Sequence, residues 1–258
     1  MAHFVLLCAA MRFPFQSAAP QAARRLPQRS PLPKMKTVEA GAEYAFARMG
    51  GDFYDFVEAG TSRLAFALFD FAGKRDQAMA IAAAAQDVFR AQVPQLFGTD
   101  HVNDNEAMAE LALLLNRAIL SAAGGVHHSP GFIGCLNELA GTIAYCNAGH
   151  TPALLRHNSD VDSLCANALP LGLFSHATYE PQVRVLPAGA SLLLVSRGLV
   201  ESKFRGEEFG VERLRQSFLA ITITDAPALC RQVLDRVEEF TCAPLMHNDV
   251  TAIALVRK

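Results

Sequence analysis

Met49-Gly50-Gly51-Asp52-Phe53-Tyr54-Asp55, followed after one apolar run by Asp70-Phe71-Ala72-Gly73, is the part of the sequence on which the fold turns. Asp52 directly follows Gly51 and Asp70 stands three residues before Gly73, each at a strand end where a glycine-supported turn brings a carboxylate to the rim of a sheet. Oxygen ligands in that arrangement suit a hard divalent cation such as Mg²⁺ or Mn²⁺. The same residues also fit a plain hairpin turn and a solvated strand end, and these two pieces alone leave both readings open.

On either side of the glycine turn, residues 43–46 and 52–57 are strand-like, and residues 63–69 (RLAFALF) form a β-rich run ending at Asp70. Residues 76–93 are alanine-rich, with Ile81, Val88 and Phe89 at helical spacing. Residues 104–122 start at an Asp N-cap, carry a leucine-rich face and stop at Gly124-Gly125. Strands are then expected over 131–137, 141–147, 153–156, 179–186 and 191–195. Helices follow over 211–220 and 226–240, the latter behind an Asp225 cap with Pro227 in its first turn, and a strand over 250–256 closes the chain. Strands outnumber helices and tight turns join many of them, so an α+β layered fold with largely antiparallel sheets fits better than a doubly wound one.

At 258 residues and 51% hydrophobic content, the chain has enough apolar material for one sizeable domain plus a tail. A net charge of −2 and a pI of about 6.4 give no electrostatic reason to expect nucleic acid or an anionic membrane as partner. Cys8, Cys135, Cys146, Cys165, Cys230 and Cys242 lack zinc or CxxC spacing and read as reduced thiols of a cytoplasmic protein. Residues 1–36 are rich in Pro, Gln and Arg, with no acidic residue among the first 34. They are expected to be a disordered leader, or to reflect a mis-called start with Met35 as the true one. The apolar stretch 4–10 has no basic region before it and is too short for a membrane span.

Seven motifs in order and spacing, GGDFYDF (50–56), DFAGK (70–74), YCNAGHTPALL (145–155), LPLGLF (169–174), SRGLVES (196–202), EEFGVERL (207–214) and NDVTAIALV (248–256), resemble the PPM-type metal-dependent serine/threonine phosphatases. The bacterial SpoIIE-like branch is the nearest. The resemblance implies a single phosphatase domain over 37–258, a four-layer α-β-β-α sandwich with Mg²⁺ or Mn²⁺ at one end. It also implies hydrolysis of phosphoserine or phosphothreonine by a metal-activated water, and a phosphoprotein partner of the anti-sigma-factor antagonist type in a partner-switching circuit.

By that resemblance Asp52 is the carboxylate of the GGD motif, Asp70 bridges the metals, and the Phe71 carbonyl serves the second ion. The two other expected metal carboxylates are replaced by Arg197 and Asn248. Four aspartates would carry −4, whereas Asp52, Asp70, Arg197 and Asn248 together carry −1. A guanidinium within a few ångströms of a cation is repelled by several kcal/mol even at an effective dielectric of about 20. At most one weakly held Mn²⁺ or Mg²⁺ is therefore expected.

Asp249 is a possible rescue ligand, although consecutive strand residues face opposite sides. Arg197 is either a tolerated loop substitution or a guanidinium that takes the first metal's place, pairs with Asp70 and binds phosphate. His150, in the NAGH turn, is expected to support the loop, and His127-His128 to be a solvated loop. Lys74-Arg75 is expected at an exposed helix start, and His247 has no assigned role.

Overall fold

The computed structural model describes residues 26–45, 51–242 and 249–258. Cys8, Phe46, Met49, Gly50, His247 and Asn248 lie outside the described residues. In chain order the elements are β1 (Val38–Ala45), β2 (Asp52–Ala59), β3 (Arg63–Asp70), α1 (Arg75–Phe97), α2 (Asp104–Ala123), β4 (Gly131–Asn137), β5 (Thr142–Ala148), β6 (Ala153–His157) and β7 (Asp160–Leu164). They continue with β8 (Gln182–Val185), β9 (Ser191–Val195), α3 (Arg197–Val200), β10 (Lys203–Phe204), β11 (Glu207–Glu208), α4 (Gly210–Ala220), α5 (Ala226–Thr241) and β12 (Val250–Arg257).

Two five-stranded antiparallel sheets, ordered β1-β12-β9-β6-β7 and β2-β3-β4-β5-β8, form the middle of the molecule. The side-chain alternation of a strand explains the layers. Along β3, Leu64, Phe66 and Leu68 enter the core between the sheets, while Ala65, Ala67 and Phe69 face α1 and α2. On β12, Ile253 and Leu255 enter the same central core, and Ala252 and Ala254 face α4 and α5. Each of these strands is buried on both faces, which is why both read as unbroken apolar runs. The result is the expected α-β-β-α sandwich.

Several boundaries differ from the sequence reading. Helix α1 does not stop at residue 93 but runs through Pro94 to Phe97, because a proline removes one hydrogen bond without ending a well-packed final turn. The cap of α2 is Asn103, whose side chain accepts from the Asn105 and Glu106 amides. Asp104 sits one place inside and pairs with Arg63 at 2.7 Å. Strand β8 is four residues long rather than eight. Strands β7, β10 and β11 and the single turn α3 were not expected.

The largest difference concerns the leader. Residues 26–36 are not a free tail, because Gln28 to Lys34 lie along the edge formed by β2 and α1. Ser30 Oγ accepts from the Phe56 amide at 3.0 Å, and Gln28 exchanges hydrogen bonds with Gln86 at 2.6 and 3.0 Å. Arg90 reaches the Gln28 side chain at 2.7 Å, and the Lys34 amide donates to Glu58 at 2.8 Å. Beneath this strap lies Asp55, fully buried. It accepts from Arg90 Nε at 2.7 Å, Arg90 Nη2 at 3.1 Å and Gln86 Nε2 at 3.0 Å.

Removing one partner of a buried ion pair leaves the other charge uncompensated. Arg90→Ala is therefore expected to lower unfolding stability by about 3–5 kcal/mol, and Gln28→Ala by about 1 kcal/mol. Equilibrium urea denaturation of the full-length chain checks both; an Arg90→Ala midpoint equal to that of the parent would contradict the role given to the pair.

Candidate functional site

The site forms where the ends of the two sheets meet. Asp52 opens β2, Asp70 closes β3, and the antiparallel register sets the two directly opposite each other. Beyond them the chains stay together: the Phe71 amide donates to the Gly51 carbonyl at 3.0 Å, and the Asp70 amide to the Pro130 carbonyl at 2.9 Å. A side chain at position 51 would overlap the Phe71 carbonyl, so only glycine permits this approach. Phe71 is buried and stacks on Phe69 with ring centroids 5.4 Å apart, which anchors the backbone that carries its carbonyl.

His127, expected in a solvated loop, is instead built into this corner. With Ala72 O as acceptor, its Nε2–H donates at 2.9 Å, and its Nδ1 accepts from Ser129 Oγ at 2.8 Å. Only His128 is exposed. Gly73, at φ 108°, then turns the chain into α1.

The facing sheet brings the other half of the site. Thr251 donates its hydroxyl to Asp52 at 3.0 Å, and its amide donates to Ser196 Oγ at 3.0 Å. The Ser196 side chain, fully buried, also hydrogen-bonds Asp52, and its hydroxyl lies 3.4 Å from the Asp249 carbonyl oxygen. Burial pushes the Asp52 carboxyl up to about 7; the charges of Asp70 and Asp249 push the same way, against the two hydroxyls. Asp249 thus acts on Asp52, two residues before Thr251 on the chain that begins β12.

Arg197 opens α3 directly after Ser196. Its Nε lies 3.0 Å from Asp70 Oδ2 and 3.8 Å from Glu201 Oε1, one helical turn on. Asn248 lies outside the described residues. Sequence reasoning missed Ser196, Thr251 and Glu201 as parts of the site. The alternation of β12 was the available signal for Thr251, since it places 249 and 251 on one face.

His150 is buried near Asp70 and Arg197. Its amide donates to Asn147 Oδ1 at 2.8 Å, and its Nδ1–H to the Thr151 carbonyl at 3.2 Å. Asn147 in turn binds the Leu164 carbonyl, and Gly149 packs against Pro170 at φ 71°. The NAGH turn therefore ties β5 to the loop after β7. Burial pushes the His150 imidazole down to about 4, so it is neutral at pH 7.

The family's metal pair can be tested against these residues. Asp52, Asp70 and the Phe71 carbonyl offer hard oxygen atoms for one divalent ion, and a cation there would favour the charged form of Asp52 that burial opposes. They do not fit two ions. A guanidinium stands on Asp70, and among the described residues no three His, Cys, Asp or Glu side chains converge on a metal position.

Residues 60–258 match the family model described as Stage II sporulation protein E (SpoIIE), and the chain belongs to that family of PPM-type phosphatase-fold proteins. It is similar to part of the structure of the RsbU and RsbW domains of a Mycobacterium tuberculosis protein, with a TM-score of 0.72 at 23% identity over 89% of this chain and 63% of that one. It is also similar to part of the structure of the PP2C phosphatase domain and a fragment of the regulatory domain of the cell fate determinant SpoIIE from Bacillus subtilis, with a TM-score of 0.68 at 18% identity over 85% and 62%. The chain spans less than two thirds of both. RsbX, solved in complex with magnesium, has a TM-score of 0.62 at 14% identity over 88% of this chain and 99% of that one. Among the described residues no helix is long and apolar enough to cross a membrane.

The two shifted groups give opposite pH signatures. Between pH 6.5 and 4 the unfolded chain protonates His150 and the folded protein does not, so this residue costs stability as pH falls. Between pH 7 and 3.8 the folded protein protonates Asp52 before the unfolded chain does, so that residue adds stability as pH falls. Comparison with His150→Gln isolates the first effect. The parent should lose about 3 kcal/mol relative to the variant between pH 7 and 4, read from urea midpoints; parallel profiles would show that His150 titrates normally.

Proposed function

We propose that this chain is a SpoIIE-like protein serine phosphatase-fold regulator with a degenerate metal site and weak or no phosphatase activity. It binds a phosphoprotein in a partner-switching signalling circuit, with a partner of the anti-sigma-factor antagonist type. The carrying observation is the Arg197 to Asp70 contact of 3.0 Å, a cationic side chain where the resemblance expects a metal carboxylate. Arg197 is more than half exposed and presents a planar guanidinium, whose fork suits a phosphate monoester. Asp70 at its other side keeps it oriented. Membership of a phosphatase family whose structural neighbours include a cell fate determinant supports the regulatory role.

A second reading, an active divergent Mn²⁺- or Mg²⁺-dependent phosphoserine/phosphothreonine protein phosphatase, draws on one observation. Asp52 and Asp70 remain face to face beside the Phe71 carbonyl, with the charge of Asp249 also felt at Asp52. An ion held there by Asp52, Asp70 and Phe71 would supply a polarised water and charge neutralisation. The chain's own contribution would be to orient the phosphate through Arg197.

Hydrolysis of an aryl phosphate across a Mn²⁺ series into the millimolar range separates the two readings, with Asp70→Asn as control. The parent is expected to show turnover no higher than that control. The double change Arg197→Asp with Asn248→Asp is expected to raise Mn²⁺-dependent turnover on the order of 10²-fold or more. Parent turnover that vanishes in Asp70→Asn would establish the second reading instead.

A further inference from the structure

Asp70 cannot follow a bound ion. It ends β3 opposite Asp52, its amide is held by the Pro130 carbonyl at 2.9 Å, and its side chain is only 13% exposed. Arg197 can move, because its side chain is 54% exposed and projects from the first residue of the one-turn α3. A second carboxylate waits for it. Glu201 Oε1 lies 3.8 Å from the same Nε, with its side chain 51% exposed, and the Glu201 amide donates to the Arg197 carbonyl at 3.0 Å, which holds the two residues one turn apart.

A single guanidinium thus has two carboxylate partners, one fixed at the site and one on its own helical turn. We infer that Arg197 is a tethered competitor of the divalent cation for Asp70, and that Glu201 receives its guanidinium when the ion binds. The inference rests on the reading of Asp52, Asp70 and the Phe71 carbonyl as the remaining ion-binding set, and it gives that set a built-in control. With Arg197 on Asp70 the ion is excluded by like charge at contact distance. With Arg197 on Glu201 the helical ion pair survives and Asp70 is released, so the exchange strands no charge. Glu201 therefore sets how readily the site opens to metal without touching it.

Mn²⁺ binding to the full-length chain, followed by the loss of free-ion electron paramagnetic resonance signal in phosphate-free buffer, tests this directly. Arg197→Gln should bind Mn²⁺ about tenfold or more tightly than the parent, and adding Asp70→Asn should abolish that gain. Glu201→Gln should weaken binding about two- to fivefold in the parent, yet have no effect once Arg197 is Gln. Thermal melts that coincide with the parent's establish that each variant is folded.

An Arg197→Gln affinity equal to the parent's overturns the competition. A Glu201→Gln effect of the same size in both backgrounds overturns the exchange, because Glu201 would then act on the ion by its own charge. The readout is binding, so brisk aryl phosphate hydrolysis by the parent would overturn the regulator reading and leave the competition standing. A failed competition would leave the weak-activity reading untouched.

Discussion

The close approach of Gly51 and Phe71 is the constraint from which the site follows. Without a side chain at position 51, the start of β2 and the end of β3 stay paired past their carboxylates, and Asp52 and Asp70 meet at the rim of the sheet. Two acidic groups forced together at the edge of an apolar core repel each other. The protein answers that repulsion with hydroxyls from the facing sheet and with one guanidinium. Thr251 and Ser196 hold Asp52, Arg197 holds Asp70, and each comes from the second sheet or the turn that follows it. The same contacts therefore join the sheets at this end and fill the space where charge would otherwise be unbalanced.

This changes what kind of chemistry the corner can support. A divalent ion stabilises transition-state charge and activates water at once. A guanidinium supplies fixed positive charge and directional donors, but it makes no nucleophile. On the proposed reading, Asp52, Asp70 and the Phe71 carbonyl together with Arg197 favour holding an anionic group over turning it over.

The layered fold was legible because the strands at its centre are buried on both faces. RLAFALF over β3 and the apolar run of β12 permit no other placement, and their alternation divides helix-facing from sheet-facing residues. The approach of Arg197 to Asp70 was legible only through the family resemblance, because 127 positions of sequence separate residues that the sandwich brings together. Local signals misled where two residues compete for one role. Asn103 took the α2 cap because its neighbour Asp104 is committed to Arg63, a partner on another element. The order in residues 26–36 could not be read, since composition there predicts disorder while the hydrogen bonds described for the strap run to Phe56, Glu58, Gln86 and Arg90.

That strap bears on which polypeptide folds as described. Gln28, Arg29 and Ser30 supply acceptors to Arg90, Gln86 and the Phe56 amide, directly over the one fully buried acidic side chain in β2. A shorter product beginning at Met35 would have the same Asp52, Asp70 and Arg197, but water would stand where those acceptors were. Removing the strap would therefore leave the site chemistry unchanged and alter how firmly the first helix is seated behind it.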